Sequence, residues 1–225
     1  MSVMGISTKN NPEQAELARL IMDRDHPIVI CNGQAGTGKN FISLATVLEI
    51  KRSKKGQLCN ARIFYSRAPV EVGKSLGYLK GDLDKKFEPY TMPVSDTIEN
   101  LVLLSDDKLN YNELMSKIEC SPTSFMRGRS LNNCFLIVDE CQNLSLTELQ
   151  TLITRMGTYS KIILLGSFSQ VDEKTQQKKN ICDFEKATMA LRDLPYVGFV
   201  ELKQSMRSPW CAEIDALFDK LKQES

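Results

Sequence analysis

The chain lacks closely spaced cysteines and has almost no histidine. Its seven cysteines are scattered without a Cys-x-x-Cys pair, and His26 is the only histidine in 225 residues. A zinc site needs closely spaced cysteine and histidine ligands, so this composition argues against one. The odd cysteine count and the lack of a charged-then-apolar leader favour a reduced, cytoplasmic compartment.

Long apolar runs and an excess of one charge are also missing. No segment approaches the roughly 20 apolar residues of a transmembrane helix, so no membrane partner is expected. Lysine and arginine total 29 against 28 acidic residues, so any nucleic-acid binding must use a local patch. The length, with 42% hydrophobic residues and no repeats, predicts a single domain over residues 1–225, with a mobile segment at 1–11.

Apolar runs alternate with helix-like periodicity along the rest of the chain. The predicted strands are residues 27–31, 61–65, 134–138, 161–165 and 197–202. The predicted helices are residues 12–22, 39–50, 145–156 and 183–191, with a terminal helix from Pro209. Residues 67–129 form an insertion-rich region, mostly helix and loop up to about residue 121. The alternation predicts an α/β fold, a mainly parallel sheet with helices on both faces.

The loop after the first predicted strand matches the phosphate-binding pattern G-x-x-x-x-G-K-[ST] at every position except the last. Its residues are Gly33, Gln34, Ala35, Gly36, Thr37, Gly38, Lys39 and Asn40. The glycines let backbone N–H groups face phosphate, and the lysine reaches the β and γ phosphates, so the loop predicts binding of ATP with Mg²⁺. Asn40 replaces a hydroxyl that ligates Mg²⁺, which bears on hydrolysis more than on binding.

Polar residues follow three of the predicted strands, at the edge where open parallel sheets bind ligands. Asp139 is expected to hold Mg²⁺ together with Asn40, and Glu140 to deprotonate the attacking water; the alternative is a solvated turn. Gln170 is a candidate sensor of the γ-phosphate, or else a surface glutamine. Arg207 is a candidate for stabilising phosphate charge, in cis or in trans, or else a surface charge.

Together these segments resemble the PhoH-like family of P-loop ATPases, whose core is similar to the first motor domain of superfamily 1 helicases. The segments that carry the resemblance are 66–73 (SRAPVEVG), 76–83 (LGYLKGDL), 125–131 (FMRGRSL), 138–143 (VDECQN), 152–157 (LITRMG) and 170–172 (QVD). The resemblance implies a RecA-like fold and ATP hydrolysis. It also implies a homo-oligomer such as a hexameric ring, acting on RNA or single-stranded DNA in a bacterial cell or a phage-infected host.

Two positions depart from the family's pattern. One is Asn40, and the other is Ser167, where the family's Gly-Asp-x-x-Gln has its aspartate. Both changes touch the metal and γ-phosphate chemistry, so a member that binds ATP and hydrolyses it slowly is an alternative. Gln14 matches a family glutamine that implies adenine recognition, because an amide pairs with both N6 and N7 of adenine. On its own, a glutamine on a helix more often faces solvent.

The insertion at 67–129 is the candidate nucleic-acid surface. Basic residues, with Arg67, Arg127 and Arg129 as candidate contacts, alternate there with aromatic residues that can stack on bases. Acidic residues lie in the same stretch and aromatic residues often fill a core, so both interpretations stay open from the residues alone. A single motor core needs neighbouring subunits to move along a strand, with Arg207 or Arg155 offered across the interface.

The sequence therefore predicts a Mg²⁺-dependent ATPase coupled to RNA or single-stranded DNA, a helicase-like motor or remodeller. A nucleotide-binding switch or ring-assembly subunit with little hydrolysis is the first alternative. A small-molecule kinase is the second, although a kinase has little use for the Asp139, Glu140 and Gln170 set.

Overall fold

The computed structural model describes residues 1–68, 83–126, 128–169 and 181–211, with residues 213, 214 and 217. Of residues 57 and 83–89 it describes the backbone alone. Along this part of the chain, none of the helices combines the length and the apolar character that a membrane span requires.

The described residues form strands and helices that alternate along most of the chain. The strands are β1 (Ser2–Val3), β2 (Ile6–Ser7), β3 (Ile28–Gly33), β4 (Arg62–Arg67), β5 (Ile118–Pro122), β6 (Cys134–Asp139), β7 (Lys161–Gly166) and β8 (Val197–Leu202). The helices are α1 (Pro12–Met22), α2 (Lys39–Ser53), α3 (Leu83–Leu104), α4 (Tyr111–Met115), α5 (Leu146–Ile153) and α6 (Asp183–Leu191). Short 3-10 turns lie at Gln57–Asn60, Thr123–Met126 and Cys141–Asn143.

Strands β3 to β8 form one six-stranded sheet in the order β5-β4-β6-β7-β3-β8. Every neighbouring pair in this sheet is parallel. The carboxyl ends of these strands therefore meet at one edge of the sheet, which is where ligands bind in open α/β folds. Strand β7 lies between β3, which leads into the phosphate-loop segment, and β6, which leads into the acidic pair.

Successive side chains of the central strands pack on opposite faces of the sheet. In β6, Phe135 and Ile137 belong to a buried cluster with residues of α1, α2 and α3. Leu136 and Val138 belong to a second buried cluster with residues of α5 and α6. This alternation is the two-residue period of a strand covered on both sides. The predicted α/β fold, with a parallel sheet and helices on both faces, is confirmed.

The first eleven residues, which were predicted to be mobile, include two short strands, and their mobility stays a prediction. Strands β1 and β2 pair as a short antiparallel hairpin, with Met4 and Gly5 at positive φ in the turn. Val3 and Met4 are buried, and the Met4 backbone N–H donates to a Glu49 carboxylate oxygen at 2.8 Å. These contacts place the turn of the hairpin against α2.

Strand β5 lies within the stretch that was predicted as helix and loop. It pairs with β4 at the edge of the sheet, with Ile118 opposite Ile63. Its residues, Ile118 to Pro122, alternate apolar and polar side chains and end in proline, unlike the continuous apolar runs of the central strands. An edge strand tolerates this composition because it pairs on one side, and the weak apolar signal explains why it was missed.

Candidate functional site

A cavity of about 300 Å³ lies at the carboxyl edge of the sheet. Its lining includes these residues of the predicted set: Ala35, Gly36, Gly38, Lys39, Asn40, Asp139 and Glu140. The lining also includes Gln142, Gly166 and Ser167, at or just beyond the ends of β6 and β7, and Phe41, Thr97 and Asn100 of α2 and α3. The fold thus brings the loop from the first half of the chain and the acidic pair from the second half to one cavity.

The loop between β3 and α2 has the backbone shape that phosphate binding needs. Gly36 and Gly38 have positive φ values of 81° and 86°, a conformation that L side chains rarely adopt. Thr37 closes the turn by donating its hydroxyl hydrogen to the Gln34 carbonyl at 2.8 Å. Gly38 is the N-cap residue of α2, so the positive end of that helix faces the loop.

The Lys39 ammonium is folded back onto the loop. It donates to the carbonyl oxygens of Gly33, at 2.5 Å, and Gln34, at 2.9 Å. Burial lowers the pKa of Lys39, an effect that the nearby Cys31, Asp139 and Glu140 oppose. We expect an incoming phosphate to replace these two carbonyl contacts, because it offers the ammonium a full negative charge.

Gln14 supports the loop from α1. The helix begins at an Asn11 N-cap, whose side-chain oxygen accepts from the Gln14 backbone N–H at 3.0 Å. The Gln14 side-chain nitrogen donates to the Thr37 carbonyl at 3.0 Å, and the residue is buried. A Cβ atom on Gly38 would lie 2.6 Å from that nitrogen. Gln14 therefore contacts the loop backbone, and its role toward adenine stays a prediction.

Asp139 ends β6 with both carboxylate oxygens engaged. One oxygen accepts from the Tyr65 hydroxyl at 2.7 Å and from the Asn40 side-chain nitrogen at 2.8 Å. The other accepts from the Glu140 backbone N–H at 2.9 Å. Burial, reinforced by Asp139, raises the pKa of Tyr65 well above its ordinary value, so the hydroxyl is protonated and donates. These contacts fix the Asp139 carboxylate in the cavity wall.

Glu140 is held at both carboxylate oxygens as well. Its backbone has a φ of 57°, an uncommon left-handed conformation for a residue other than glycine and one that occurs at functional sites. Arg67 donates to one oxygen at 3.0 Å, and the Gln142 side-chain nitrogen donates to the other at 2.6 Å. The Gln142 amide oxygen in turn accepts from the Ser167 backbone N–H at 3.1 Å. Gln142 therefore links Glu140 to the end of β7.

Two arginines that were predicted to contact nucleic acid have carboxylate partners. Arg67 ends β4 opposite Asp139 in the sheet register and pairs with Glu140. Arg129 pairs with Glu119 at 3.0 Å, and its guanidinium lies over the Phe64 ring at 4.8 Å. Their contact with nucleic acid stays a prediction.

Arg207 lies against the phosphate loop, whereas Arg155 does not. The Met206 backbone N–H donates to the Gly36 carbonyl at 2.8 Å, and a Cβ atom on Gly36 would lie 2.7 Å from the Arg207 side chain. Arg155 lies in the connection from α5 to β7, where its carbonyl accepts from the Leu131 N–H at 3.1 Å. This connection leads into the amino ends of the strands, the edge opposite the cavity. Within one chain, Arg207 faces the phosphate loop and Arg155 does not.

Comparison with known proteins identifies the family. The family model described as "PhoH-like protein" matches residues 6–219. The chain belongs to the PhoH-like family. This confirms the resemblance that the motifs predicted.

Curated relatives of this PhoH-like chain come from several bacteria. A PhoH-like protein of Synechocystis is 35% identical over 202 residues, which cover 89% of this chain and 59% of that protein. A PhoH-like protein of Bacillus subtilis is 35% identical over 192 residues, 84% of this chain and 57% of that protein. Protein PhoH of Escherichia coli is 31% identical, with 71% of this chain and 44% of that protein covered. The chain thus spans roughly half the length of these relatives.

Two of the predicted site residues of the PhoH-like chain lie outside the described residues, and two residues that contact the acidic pair were not predicted. Gln170 and Arg127 lie outside the described residues. Ser167, which departs from the family's aspartate, is buried, and its hydroxyl lies 3.1 Å from that of Ser169. The sequence analysis did not predict a role for Tyr65, which donates to Asp139, or for Gln142, which donates to Glu140. Gln142 lies in the VDECQN segment, one of the motifs that carry the family resemblance, and this motif could have indicated its role. Tyr65 lies in an apolar run, and no motif indicates a role for it.

The oxygen atoms around Asp139 in the PhoH-like chain fit a hard cation. The Asn40 side-chain oxygen is buried and has no hydrogen-bond partner, while its nitrogen donates to Asp139. Mg²⁺ binds carboxylate and amide oxygens, so an orphaned amide oxygen beside a carboxylate suits it. Asp139 and Asn40 are therefore the residues that would hold Mg²⁺.

Proposed function

We propose that this chain binds ATP with Mg²⁺ and hydrolyses it in the cavity at the carboxyl edge of the sheet. The observation that carries the proposal is the contact between Asn40, which follows the loop lysine, and Asp139, at 2.8 Å. This contact joins the phosphate loop to the acidic pair across one cavity. ATP hydrolysis needs both parts within reach of the same phosphate.

Each part of the cavity has a task in this proposal. The loop amides and Lys39 bind the β and γ phosphates, and Asp139 and Asn40 hold Mg²⁺, which when bound neutralises charge between those phosphates. Glu140 orients a water molecule toward the γ-phosphate and accepts its proton. Arg207, which lies over the loop, stabilises the charge that develops during transfer. Gln170 is proposed to sense the γ-phosphate.

We further propose that RNA or single-stranded DNA stimulates the reaction. The support is the family resemblance, together with the position of Arg67 at the end of β4, where a residue of the insertion-rich region contacts Glu140. A single sheet core needs neighbours to move along a strand, so we propose a homo-oligomer, such as a hexameric ring. In that assembly Arg155, at the opposite edge of the sheet, acts on the cavity of a neighbouring subunit.

A nucleotide-binding switch with little hydrolysis is the second candidate. The observation that favours it is that an amide nitrogen of Asn40, not a hydroxyl, faces Asp139. Ser167 also removes a carboxylate from the same cavity wall. A switch of this kind holds ATP without releasing phosphate, and Asn40→Thr raises its rate of release.

The experiment that separates these functions measures phosphate release with ATP and Mg²⁺ alone, with single-stranded RNA, and with single-stranded DNA. The proposed function predicts release without any small-molecule acceptor, and an increase of at least about threefold with one of the nucleic acids. ATP binding without release, together with release by Asn40→Thr, would establish the switch. Release that requires an added small acceptor would point to a kinase. Light scattering of the same sample reports the subunit count.

A further inference from the structure

Three side chains form a closed hydrogen-bonded triangle at the base of the cavity. The Asn40 side-chain nitrogen donates to Asp139, at 2.8 Å, and also contacts the Tyr65 hydroxyl oxygen, at 3.2 Å. The Tyr65 hydroxyl donates its own hydrogen to the same Asp139 oxygen, at 2.7 Å. Tyr65 is fully buried, and Asp139 is 4% exposed. The triangle is thus shielded from water on most sides.

The triangle determines which end of the Asn40 amide is available. An amide has a donating nitrogen and an accepting oxygen, and a metal ion can be bound by the oxygen alone. The nitrogen donates toward Asp139 and Tyr65, so it faces the interior. The oxygen is buried and has no hydrogen-bond partner, in a residue that lines the cavity. An unpaired buried acceptor is costly, so a cation at this oxygen would compensate for it.

We propose that Tyr65 is a positioning residue that makes Asn40 a competent replacement for the hydroxyl of the phosphate-loop motif. By contacting the amide nitrogen, Tyr65 holds it toward the interior and leaves the Asn40 oxygen for the metal ion of the nucleotide. By donating to Asp139, it also fixes the carboxylate oxygen that the amide nitrogen faces. This inference rests on the proposed function, because it assigns a task within the same ATP and Mg²⁺ site.

At position 40 the phosphate-loop pattern has serine or threonine, and neither residue needs the contact with Tyr65. A threonine or serine has no amide whose nitrogen and oxygen can exchange places, and its one hydroxyl oxygen needs no contact that selects it over a nitrogen. Tyr65 is therefore needed when residue 40 is asparagine and dispensable when it is threonine. The effects of Tyr65→Phe and Asn40→Thr on metal binding must then be strongly non-additive, as expected for residues that act through one contact.

The test measures binding of Mn²⁺, by electron paramagnetic resonance, to the full chain saturated with a non-hydrolysable ATP analogue. The proteins compared are the wild type, Tyr65→Phe, Asn40→Thr and the double variant, with the exposed Tyr196→Phe as the matched control. We expect Tyr65→Phe to weaken Mn²⁺ binding about fivefold to tenfold, the loss of one hydrogen bond to a polar site. In the Asn40→Thr background the same change should alter binding by less than about twofold.

Analogue binding in EDTA separates a specific effect from damage to the fold. Removal of one hydroxyl should leave metal-free binding of the analogue within about twofold, because the loop amides and Lys39 do not depend on Tyr65. Equal losses in both backgrounds, no loss in the wild-type background, or a parallel loss in EDTA would overturn the inference. If the wild-type complex takes up no Mn²⁺, the proposed function fails before any variant is compared, and the inference falls with it.

Discussion

A guanidinium nitrogen of Arg67 lies 3.0 Å from a carboxylate oxygen of Glu140. The contact follows from the sheet register, in which Arg67 at the end of β4 is opposite Asp139 at the end of β6. Both side chains are partly shielded, at 26% and 30% exposure, so water screens the pair less than it would at an open surface. The pair therefore fixes the direction of the carboxylate that we propose as the general base.

Arg67→Met is expected to lower kcat for ATP about tenfold to a hundredfold, since a misdirected base no longer holds water in line with the γ-phosphate. KM should stay within about twofold, because Arg67 is not part of the phosphate loop. Steady-state phosphate release measures both constants. Arg192→Met, at an exposed position beside Asp193, is the matched control. A rise in KM with kcat unchanged would show that Arg67 binds nucleotide and does not orient Glu140.

Gln142→Met should also lower kcat by at least about tenfold, because it removes the donor to Glu140 and the acceptor for the Ser167 N–H while keeping the side-chain length. The decisive comparison is a double-mutant cycle with Glu140→Gln, followed by single-turnover phosphate release. If Gln142 acts through Glu140, its substitution has little further effect once Glu140 is changed. Fully additive effects of the two substitutions would refute that link. Gln150→Met, on the exposed face of α5, is the control.

Lys39→Met should weaken ATP binding by about a hundredfold or more, because the loop loses an ammonium that donates to two of its carbonyl groups. Isothermal titration calorimetry with the non-hydrolysable analogue measures the change. Lys108→Met removes an exposed lysine and should leave the affinity unaltered. Wild-type affinity in the Lys39 variant would mean that the nucleotide is bound somewhere other than this loop.

Lys161 makes the free energy of unfolding depend on pH in alkaline solution. Its buried ammonium donates to the Leu20 carbonyl at 3.0 Å and to the Asp23 carbonyl, at the end of α1. Burial lowers the pKa of Lys161 from 10.5 to about 8. Between these values the unfolded chain binds more protons than the folded one, so stability rises as the pH increases.

The Lys161 contribution is tested by denaturant unfolding at pH 7.5 and pH 10. Between these two pH values, the free energy of unfolding of the Lys108→Met control should rise by an amount on the order of 1 to 3 kcal/mol. The free energy of unfolding of Lys161→Met should not show this rise. This variant should also be less stable at pH 10, because two buried carbonyl groups lose their donor. An identical pH dependence in both variants would show that Lys161 stays charged, or is solvated, in the folded protein.

The parts of the fold and site that the sequence predicted are those encoded by neighbouring residues. The phosphate loop depends on glycines at fixed offsets, and β8 and α6 depend on local apolar periodicity, so these were predicted at their observed positions. Asp139 and Glu140 were recognised because they directly follow a buried strand.

The parts that escaped prediction depend on contacts between distant segments. Tyr65 is one of several buried residues in β4, and its hydroxyl acquires a role only when β6 pairs beside it. The partner of Arg67 likewise follows from the order of strands, which the sequence did not specify. Strand β5 was missed because an edge strand needs no continuous apolar run.

The central claim is that this cavity hydrolyses ATP with Glu140 as the base, and single-turnover phosphate release tests it most directly. The purified chain is mixed with a limiting amount of ATP and Mg²⁺, beside Glu140→Gln and an exposed control, Glu99→Gln. We expect the wild type and the control to release phosphate, and Glu140→Gln to bind ATP normally but to release phosphate at least about a hundredfold more slowly. Equal release by all three proteins, or none by the wild type, would contradict the claim.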